Sequence, residues 1–283
     1  MNTKIPKYSF NNPRHVAFEI TTLQSIYRKS KSKLHLPHRQ RFYALFYFTN
    51  TYGKHIIDFK TYDIKKGSLF LISDEQVHYF RNIEKTTGKV VLFTNAFLDN
   101  DVLIEQLFNR QINLPVLSLR PEVDSELQIL LNRLEKNYTS DKENKNDIIK
   151  RYLEILLLEI NHNSEGNSLL NTIDYQRFIK FKNDLKHYFA HEKSVRFYAE
   201  NQLISTKTLN LCVRKMIDKS AKQFIDEYRV LLAKRLLANT HLTTAQISFQ
   251  LGFDEPTNFT KFFKRVEGLS PIRFQKGLKN TIL

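Results

Sequence analysis

Residues 256–267, PTNFTKFFKRVE, set two kinds of side chain on two different spacings. Phe259, Phe262, Phe263 and Val266 recur at i, i+3, i+4 and i+7, the period of one apolar helix stripe. At about 100° per residue the opposite face carries Thr257, Lys261 and Lys264, flanked by Asn258 and Arg265, with Pro256 in the first turn. Hydroxyl, amide and cationic groups on one outward face can bond base edges and grip phosphates. An ordinary amphipathic helix with a solvated basic face has the same pattern, so the neighbouring elements must decide. A second set lies in Thr206–Ile217. There Thr206, Lys207, Asn210, Leu211 and Arg214 fall outside an inner stripe of Leu209, Cys212, Val213 and Met216. Leu211 lies about 200° around from Leu209. It is either an incidental surface residue or one that packs against a thymine methyl, the apolar feature of the major-groove code. No nucleophile–base pair, P-loop or dinucleotide fingerprint stands out, so no catalytic residue and no cofactor is expected.

The elements that hold these faces are marked by caps. Thr243-x-x-Gln246 is a capping box that opens a short helix carrying Ile247, Phe249 and Leu251. Gly252 can stop that helix at positive φ, Asp254 can cap the next, and Pro256 suits its first turn. Two short helices around a tight glycine turn make a helix-turn-helix. Upstream, Phe178, Phe181, Leu185 and Tyr188 begin the helical region. Ser194 caps a predicted helix carrying Phe197, Ala199 and Leu203, and Ser205 caps Thr206–Ile217. A longer helix over Phe224–Ala238 joins the two units. Cys212, on the inner stripe, reads as an inert packed thiol.

The motifs I-S-x-x-L-G-F, F-x-x-F-F-K and G-L-S-P-x-R-F resemble the C-terminal signature of AraC/XylS-family transcription regulators. The residues that carry it are Ile247, Leu251, Gly252, Phe253, Phe259, Phe262, Phe263, Lys264, Gly268, Ser270, Pro271 and Phe274. Ser248 stands where that family most often has Ala. Ala199, Ser205, Leu209, Arg229 and Ala233 match the pattern of the first unit and the joining helix. Val213, Asp218 and Ala221 depart from its usual Phe, Gly and Pro, which puts the turn after that helix in question. The resemblance implies two reading helices on successive major-groove segments, roughly 34 Å apart, and an asymmetric half-site.

The N-terminal half reads as short strands with glycine turns, a small barrel or sandwich. The strands are Phe42–Phe48, His55–Phe59, Thr61–Ile64, Ser68–Ile72 and Lys89–Phe93, with turns at Thr51–Gly53 and Lys65–Gly67. Residues 1–30 are polar and left unassigned, and Lys29–Lys33 reads as a solvated loop. This half resembles the cupin-like sensor domain of the same family. Gly67, His78 and Asn82 keep the spacing of the second cupin motif, while Ser73 and Glu75 replace its Pro and second Gly. His38 stands for the first His of the other motif, Gln40 replaces the second, and Ala44 and Leu45 stand near the expected Glu. A metal-loaded cupin needs about three or four convergent ligands, so no metal is expected. His38 and His78 become candidate polar groups of a small-molecule pocket. Two helices follow. Val123, Leu127, Leu130, Leu131 and Leu134 mark one. Ile149, Leu153, Leu156 and Ile160 mark the other, widened by Ile148, Tyr152, Ile155, Leu157 and Leu158 into a helix apolar on most sides and buried on several faces. It is either an intradomain core helix or, as the resemblance implies, part of a dimer interface. Asn161–Thr172 is the linker.

The 283 residues suffice for two cores, and 22 Phe and 13 Tyr favour a folded chain. The net charge of +15 suggests a polyanionic partner. Residues 172–283 contribute +10 of it and residues 1–171 only +5. The single cysteine excludes an internal disulfide, and the start MNTKIPKYSF has no apolar signal core, which together point to the cytoplasm. No run is apolar enough to span a membrane. The expected fold class is α+β in two domains. Residues 1–165 form a cupin-like β-barrel with helices, and residues 172–283 an all-α domain with two helix-turn-helix units joined by a long helix. The expected function is a ligand-responsive, sequence-specific transcription activator. Its expected partners are operator or promoter double-stranded DNA, an unidentified small-molecule effector, RNA polymerase and a second copy of the chain. The competing readings are a cupin enzyme with a DNA-binding appendage and an architectural DNA-coating protein.

Overall fold

The structure is a computed structural model that describes residues 7–8, 17–74, 76–99, 103–104, 107–108, 116–118, 121–163 and 172–282. Glu75, the start of the chain up to residue 6, and residues 164–171 of the expected linker lie outside the described residues. The chain divides into two compact units, Pro6–Asn167 and Ser168–Leu283.

The N-terminal unit is built on three sheets. A five-stranded antiparallel sheet runs β10 (Val116–Ser118), β7 (Ser68–Ile72), β4 (Tyr43–Phe48), β9 (Gly88–Phe93), β2 (Phe18–Thr22). A three-stranded sheet runs β6 (Lys60–Asp63), β5 (Lys54–Ile57), β8 (His78–Arg81), and β1 (Lys7–Tyr8) pairs in parallel with β3 (Arg39–Gln40). The central strands read as unbroken apolar runs because both faces of the larger sheet are covered, and successive side chains point to opposite faces. From β4, Ala44, Phe46 and Phe48 join one core with Phe70, Ile72, Ile57 and Phe80; Leu45 and Tyr47 join another with Leu69, Leu71 and Val91.

Helices close both sides. The helix α1 (Leu23–Leu34) packs against β2 and β9, with Leu23 and Leu34 in the first of those cores. Lys29–Lys33 therefore belongs to a helix, not to the expected loop. The short α2 (Asn95–Leu98) packs against α4 (Lys145–Asn163), which pairs with α3 (Pro121–Tyr138) over the second core. Val123, Leu127, Leu131 and Leu134 of α3, and Ile149, Leu153, Leu156, Leu157 and Ile160 of α4, are buried there. Ile155 and Leu158 are not: they are 44% and 53% exposed. The helix thus buries one wide face instead of most of its circumference.

The second unit is helical throughout: α5 (Ile173–Tyr188), α6 (Val195–Glu200), α7 (Thr206–Ile217), α8 (Ala221–Asn239), α9 (Thr244–Gln250), α10 (Pro256–Glu267) and α11 (Pro271–Ile282). The α8 helix packs against α7, α9, α10 and α11, so it carries both helix pairs. Ser194 and Ser205 cap α6 and α7, and Thr243 with Gln246 forms a complete capping box on α9. Leu203 does not continue α6. It sits at φ 56 and is 96% exposed, while Ile204 takes the inward place against the core. Asp254 is not the cap of α10; Glu255 holds that position without a side-chain bond to the helix, and Pro256 fills the first turn. The turn after α7 forms although it lacks the family's Gly and Pro. Asp218 adopts the left-handed cap at φ 54, and Ser220 with Gln223 boxes the start of α8.

The turn between α9 and α10 depends on Gly252 twice. Its φ is 72, and a Cβ there would stand 1.5 Å from the carbonyl oxygen of Ala190. Gly268, at φ 81, has nothing within 4 Å of such a Cβ. Gly268→Ala should then cost only the left-handed conformation, about 1–2 kcal/mol. Gly252→Ala adds a backbone collision and should cost clearly more. Urea unfolding of both variants followed by helical circular dichroism tests this; equal midpoints would remove the close approach as a constraint.

Candidate nucleic-acid interface and ligand cavity

The two helix-turn-helix units present their outward residues in distinct ways. On α10, Phe259 and Phe263 are fully buried and Phe262 is half-buried, which turns Thr257, Asn258, Lys261 and Lys264 to the exposed side, with Pro256 half-buried at the start. On α7, Leu209, Cys212 and Val213 are buried, and Thr206, Lys207, Leu211 and Arg214 are exposed. Leu211 is 58% exposed between the two cations.

Ion pairing separates the basic residues. Lys215 bonds Asp174 at 2.9 Å, Lys222 bonds Asp226 at 2.6 Å, Lys234 bonds Glu267 at 2.7 Å, and Lys219 pairs with Glu227. Arg265 is also engaged, with Asp226 at 3.2 Å, although its side chain is 65% exposed. Lys207, Arg214, Lys261 and Lys264 have no carboxylate partner among the described residues. These four lie on the two outward faces; Lys180, Arg273 and Lys276 are likewise exposed with no carboxylate partner among the described residues.

Two predicted contact residues have work inside the domain. The amide of Asn210 donates through Nδ2 to Thr206 O at 2.9 Å and accepts through Oδ1 from Ala221 N at 3.0 Å. It caps the first turn of α8, and its spacing alone did not reveal this. The Thr257 hydroxyl donates to Glu255 Oε2 at 3.1 Å. Cys212 is buried, donates to Asp174 Oδ1 at 3.2 Å, and has its thiol pushed up, mainly by burial.

In the N-terminal unit a cavity of about 240 Å³ opens beside β3, β4 and β8. Ile26, Leu34, Phe42, Phe46 and Leu92 form its apolar wall, and Tyr8, His38, Gln40 and His78 its polar side. The backbones of His38 and His78 bridge each other, which draws the two rings to 4.2 Å. A chain of hydrogen bonds fixes the tautomers. Gln40 Nε2 donates to the Phe42 carbonyl at 3.1 Å, so Gln40 Oε1 faces His78. That oxygen only accepts, so His78 Nε2 must be the donor across 3.2 Å. The other ring nitrogen of neutral His78 then accepts from His55 Nε2 at 3.1 Å. His55, stacked on Phe80 at 4.0 Å, was not singled out in the sequence; its place opposite His78 needs the β5–β8 pairing.

The expectation for His78 therefore changes. It lines the cavity, but both its nitrogens are consumed in the wall. His38 differs: Nδ1 donates to Leu36 O at 2.9 Å, and Nε2 has no hydrogen-bond partner among the described residues. Burial lowers the pKa of all three imidazoles. For His55 and His78 it falls well below the usual histidine value, with His38 adding repulsion.

The AraC-like ligand binding domain family matches residues 26–153. The Helix-turn-helix domain family matches residues 198–277. The chain belongs to the AraC family of transcription regulators. Among relatives, the transcriptional activator RhaS of Escherichia fergusonii is 22% identical over 249 residues, covering 85% of this chain and 87% of RhaS. The transcriptional regulator YisR of Bacillus subtilis is 35% identical over 65 residues, a match spanning 23% of each chain. A solved ToxT from Vibrio cholerae aligns over 92% of this chain and 97% of its own at 14% identity and a TM-score of 0.45. In this AraC-family chain the ligand-binding family covers the cavity lining except Tyr8, and the helix-turn-helix family covers both outward faces. No helix among the described residues is long and apolar enough to cross a membrane.

The neutral histidines set a pH dependence. Their folded pKa values lie below the ordinary one, so the folded and unfolded chains are equally neutral above about pH 7. As pH falls through about 6.5, the unfolded chain takes up protons that the folded one refuses, and stability is lost. The urea midpoint of the β-rich unit should hold above pH 7 and decline from about pH 6.5 to 5. His55→Phe should make that decline shallower by roughly one proton. A midpoint flat over that window would show the trio charged in the folded state.

Proposed function

We propose that this AraC-family chain is a sequence-specific transcription activator whose N-terminal residues 1–165 bind a small-molecule effector and whose residues 172–283 bind operator DNA. The observation that carries the proposal is the pairing pattern: among the described residues Lys207, Arg214, Lys261 and Lys264 have no carboxylate partner on two outward helix faces, while Lys215 and Arg265 of the same helices are paired. Unpaired cations on a helix face release counterions from phosphates, which supplies affinity. Exposed Thr206, Leu211, Thr257 and Asn258 add groups for base edges, with Pro256 setting the start of α10. Arg265 and Asn210 play a smaller part, since Asp226 and the α8 cap hold them. The protein acts by binding, with no catalytic step and no cofactor, in the cytoplasm. Exposed Ile155 and Leu158, one turn apart on α4, favour a homodimer through that helix. Activation through contact with RNA polymerase completes the proposal.

Binding-site selection from random duplex, followed by competition titrations, tests the reading; no preference over random DNA would leave an architectural DNA-coating role instead. Lys261→Ala should weaken operator binding by about 1–3 kcal/mol if the ammonium bonds a base edge, and evenly on all sequences if it meets phosphate. Unchanged affinity at moderate salt would take Lys261 out of the interface.

Leu211 gives a finer test. With Asn210 turned inward, Leu211 is the exposed aliphatic group between Lys207 and Arg214, placed to pack on a thymine methyl. Selection with Leu211→Ala should relax a T preference at one base pair while the salt slope stays, because no phosphate contact is lost. Position weights identical to wild type across the site would make Leu211 a bystander.

A further inference from the structure

We infer that the N-terminal cavity takes a small, uncharged ligand with a mostly apolar body and one hydrogen-bond donor, of the phenol or simple alcohol class. The inference rests on the reading of that unit as an effector domain and adds the chemical class.

Among the described residues the lining carries no Lys, Arg, Asp or Glu. A carboxylate or phosphate would lose its hydration there without a cation to replace it. It would also face the lone pair of His38 Nε2, because the Leu36 carbonyl holds the His38 proton on Nδ1. His38 is 5% exposed, and its Nε2 has no hydrogen-bond partner among the described residues, so it presents an acceptor to an incoming donor. His78 adds none, since Gln40 and His55 use both its nitrogens. A sugar brings several hydroxyls, and the walls of Ile26, Leu34, Phe42, Phe46 and Leu92 would leave most of them unpaired. The volume of about 240 Å³ is below the common range of roughly 300–1,000 Å³ for ligand pockets, which suits one ring with a short substituent. A hydroxyl set on such a ring can reach His38 Nε2 while the ring lies against Phe42 and Phe46.

Four probes separate the classes on the full chain by calorimetry and thermal shift: para-cresol, its methyl ether, para-toluate and xylose. Para-cresol should bind saturably and raise the melting temperature. Its ether, which has the same ring but no donor, should bind at least tenfold more weakly, and para-toluate and xylose should not bind. His38→Phe, which keeps a ring and removes the acceptor, should abolish the tenfold difference, and His38→Gln should restore part of it. Equal affinity for para-cresol and its ether, tighter binding of para-toluate or xylose, a preference that survives in His38→Phe, or binding of none of the four would each overturn the class. Operator affinity measured alongside keeps the two readings apart. Para-cresol that binds without changing operator affinity would sink the effector reading and leave the ligand class standing. A change driven by para-toluate or xylose would do the reverse.

Discussion

The second helix-turn-helix hangs on one buried cation. Arg229, 2% exposed in α8, donates from Nη2 to the carbonyl of Leu251 at 2.7 Å, at the end of α9. Its guanidinium lies 4.3 Å from the Phe253 ring centroid and 5.2 Å from that of Phe262. Burying a charge is costly unless it is paired and bonded. Four partners offset the cost here: the negative end of a helix, two aromatic faces, and the nearby carboxylate of Asp226. Burial lowers the Arg229 pKa and Asp226 works against that, so the ion persists. One side chain thereby ties the joining helix to the end of α9, to the turn and to the middle of α10. Gly252 permits that turn to press on Ala190 from the other side. The outward face of α10 is aimed by contacts made entirely on its inward side.

The N-terminal unit solves the opposite electrostatic problem. Its buried imidazoles are kept neutral, and the ordering starts from a backbone carbonyl. Phe42 O sets the orientation of Gln40, Gln40 sets the tautomer of His78, and His78 sets that of His55. At the far end, His55 Nδ1 is a buried lone pair with no bond. A lone pair is cheaper to leave bare than an ammonium, and the stacked Phe80 ring and the tilted Phe70 ring enclose it. The same chain that quiets His78 leaves His38 as the ring with a nitrogen to offer.

Much of the helical unit was legible in the sequence because caps and glycine turns are local. Thr243 with Gln246, Ser194, Ser205 and Gly252 are read from a few residues and take the expected conformations. What failed there was also local in appearance but decided by contacts. Asn210 has the spacing of a reading residue and serves as a cap across the turn. Leu203 has the spacing of a helix position and sits exposed in the turn itself. Phe249 is 57% exposed on α9, although its neighbours Ile247 and Leu251 are buried. In the other unit the apolar strands were legible, and β2, β8 and α1 were not. His78–Arg81 is a strand because it pairs with β5, and α1 is polar enough to pass for loop until Leu23 and Leu34 find the core. The tautomer chain needs β3, β5 and β8 side by side, so no single stretch encodes it.

The charge count illustrates the limit of composition most directly. A net of +10 over residues 172–283 says that a polyanion is a fitting partner, but not where it would lie. The acidic residues make that distinction. Asp174, Asp226, Glu227 and Glu267 sit beside Lys215, Lys222, Arg265, Lys219 and Lys234, and neutralise the fringes of the helical unit. Surface pairs of this kind contribute little to stability, about 0–1 kcal/mol each. Their larger effect is to neutralise part of the basic surface around α7 and α10, whose Lys207, Arg214, Lys261 and Lys264 have no carboxylate partner among the described residues. Composition thus places the charge in the unit, and only the ion pairs show which helices keep it: α7 and α10 do on their outward faces, and α11 does at Arg273 and Lys276.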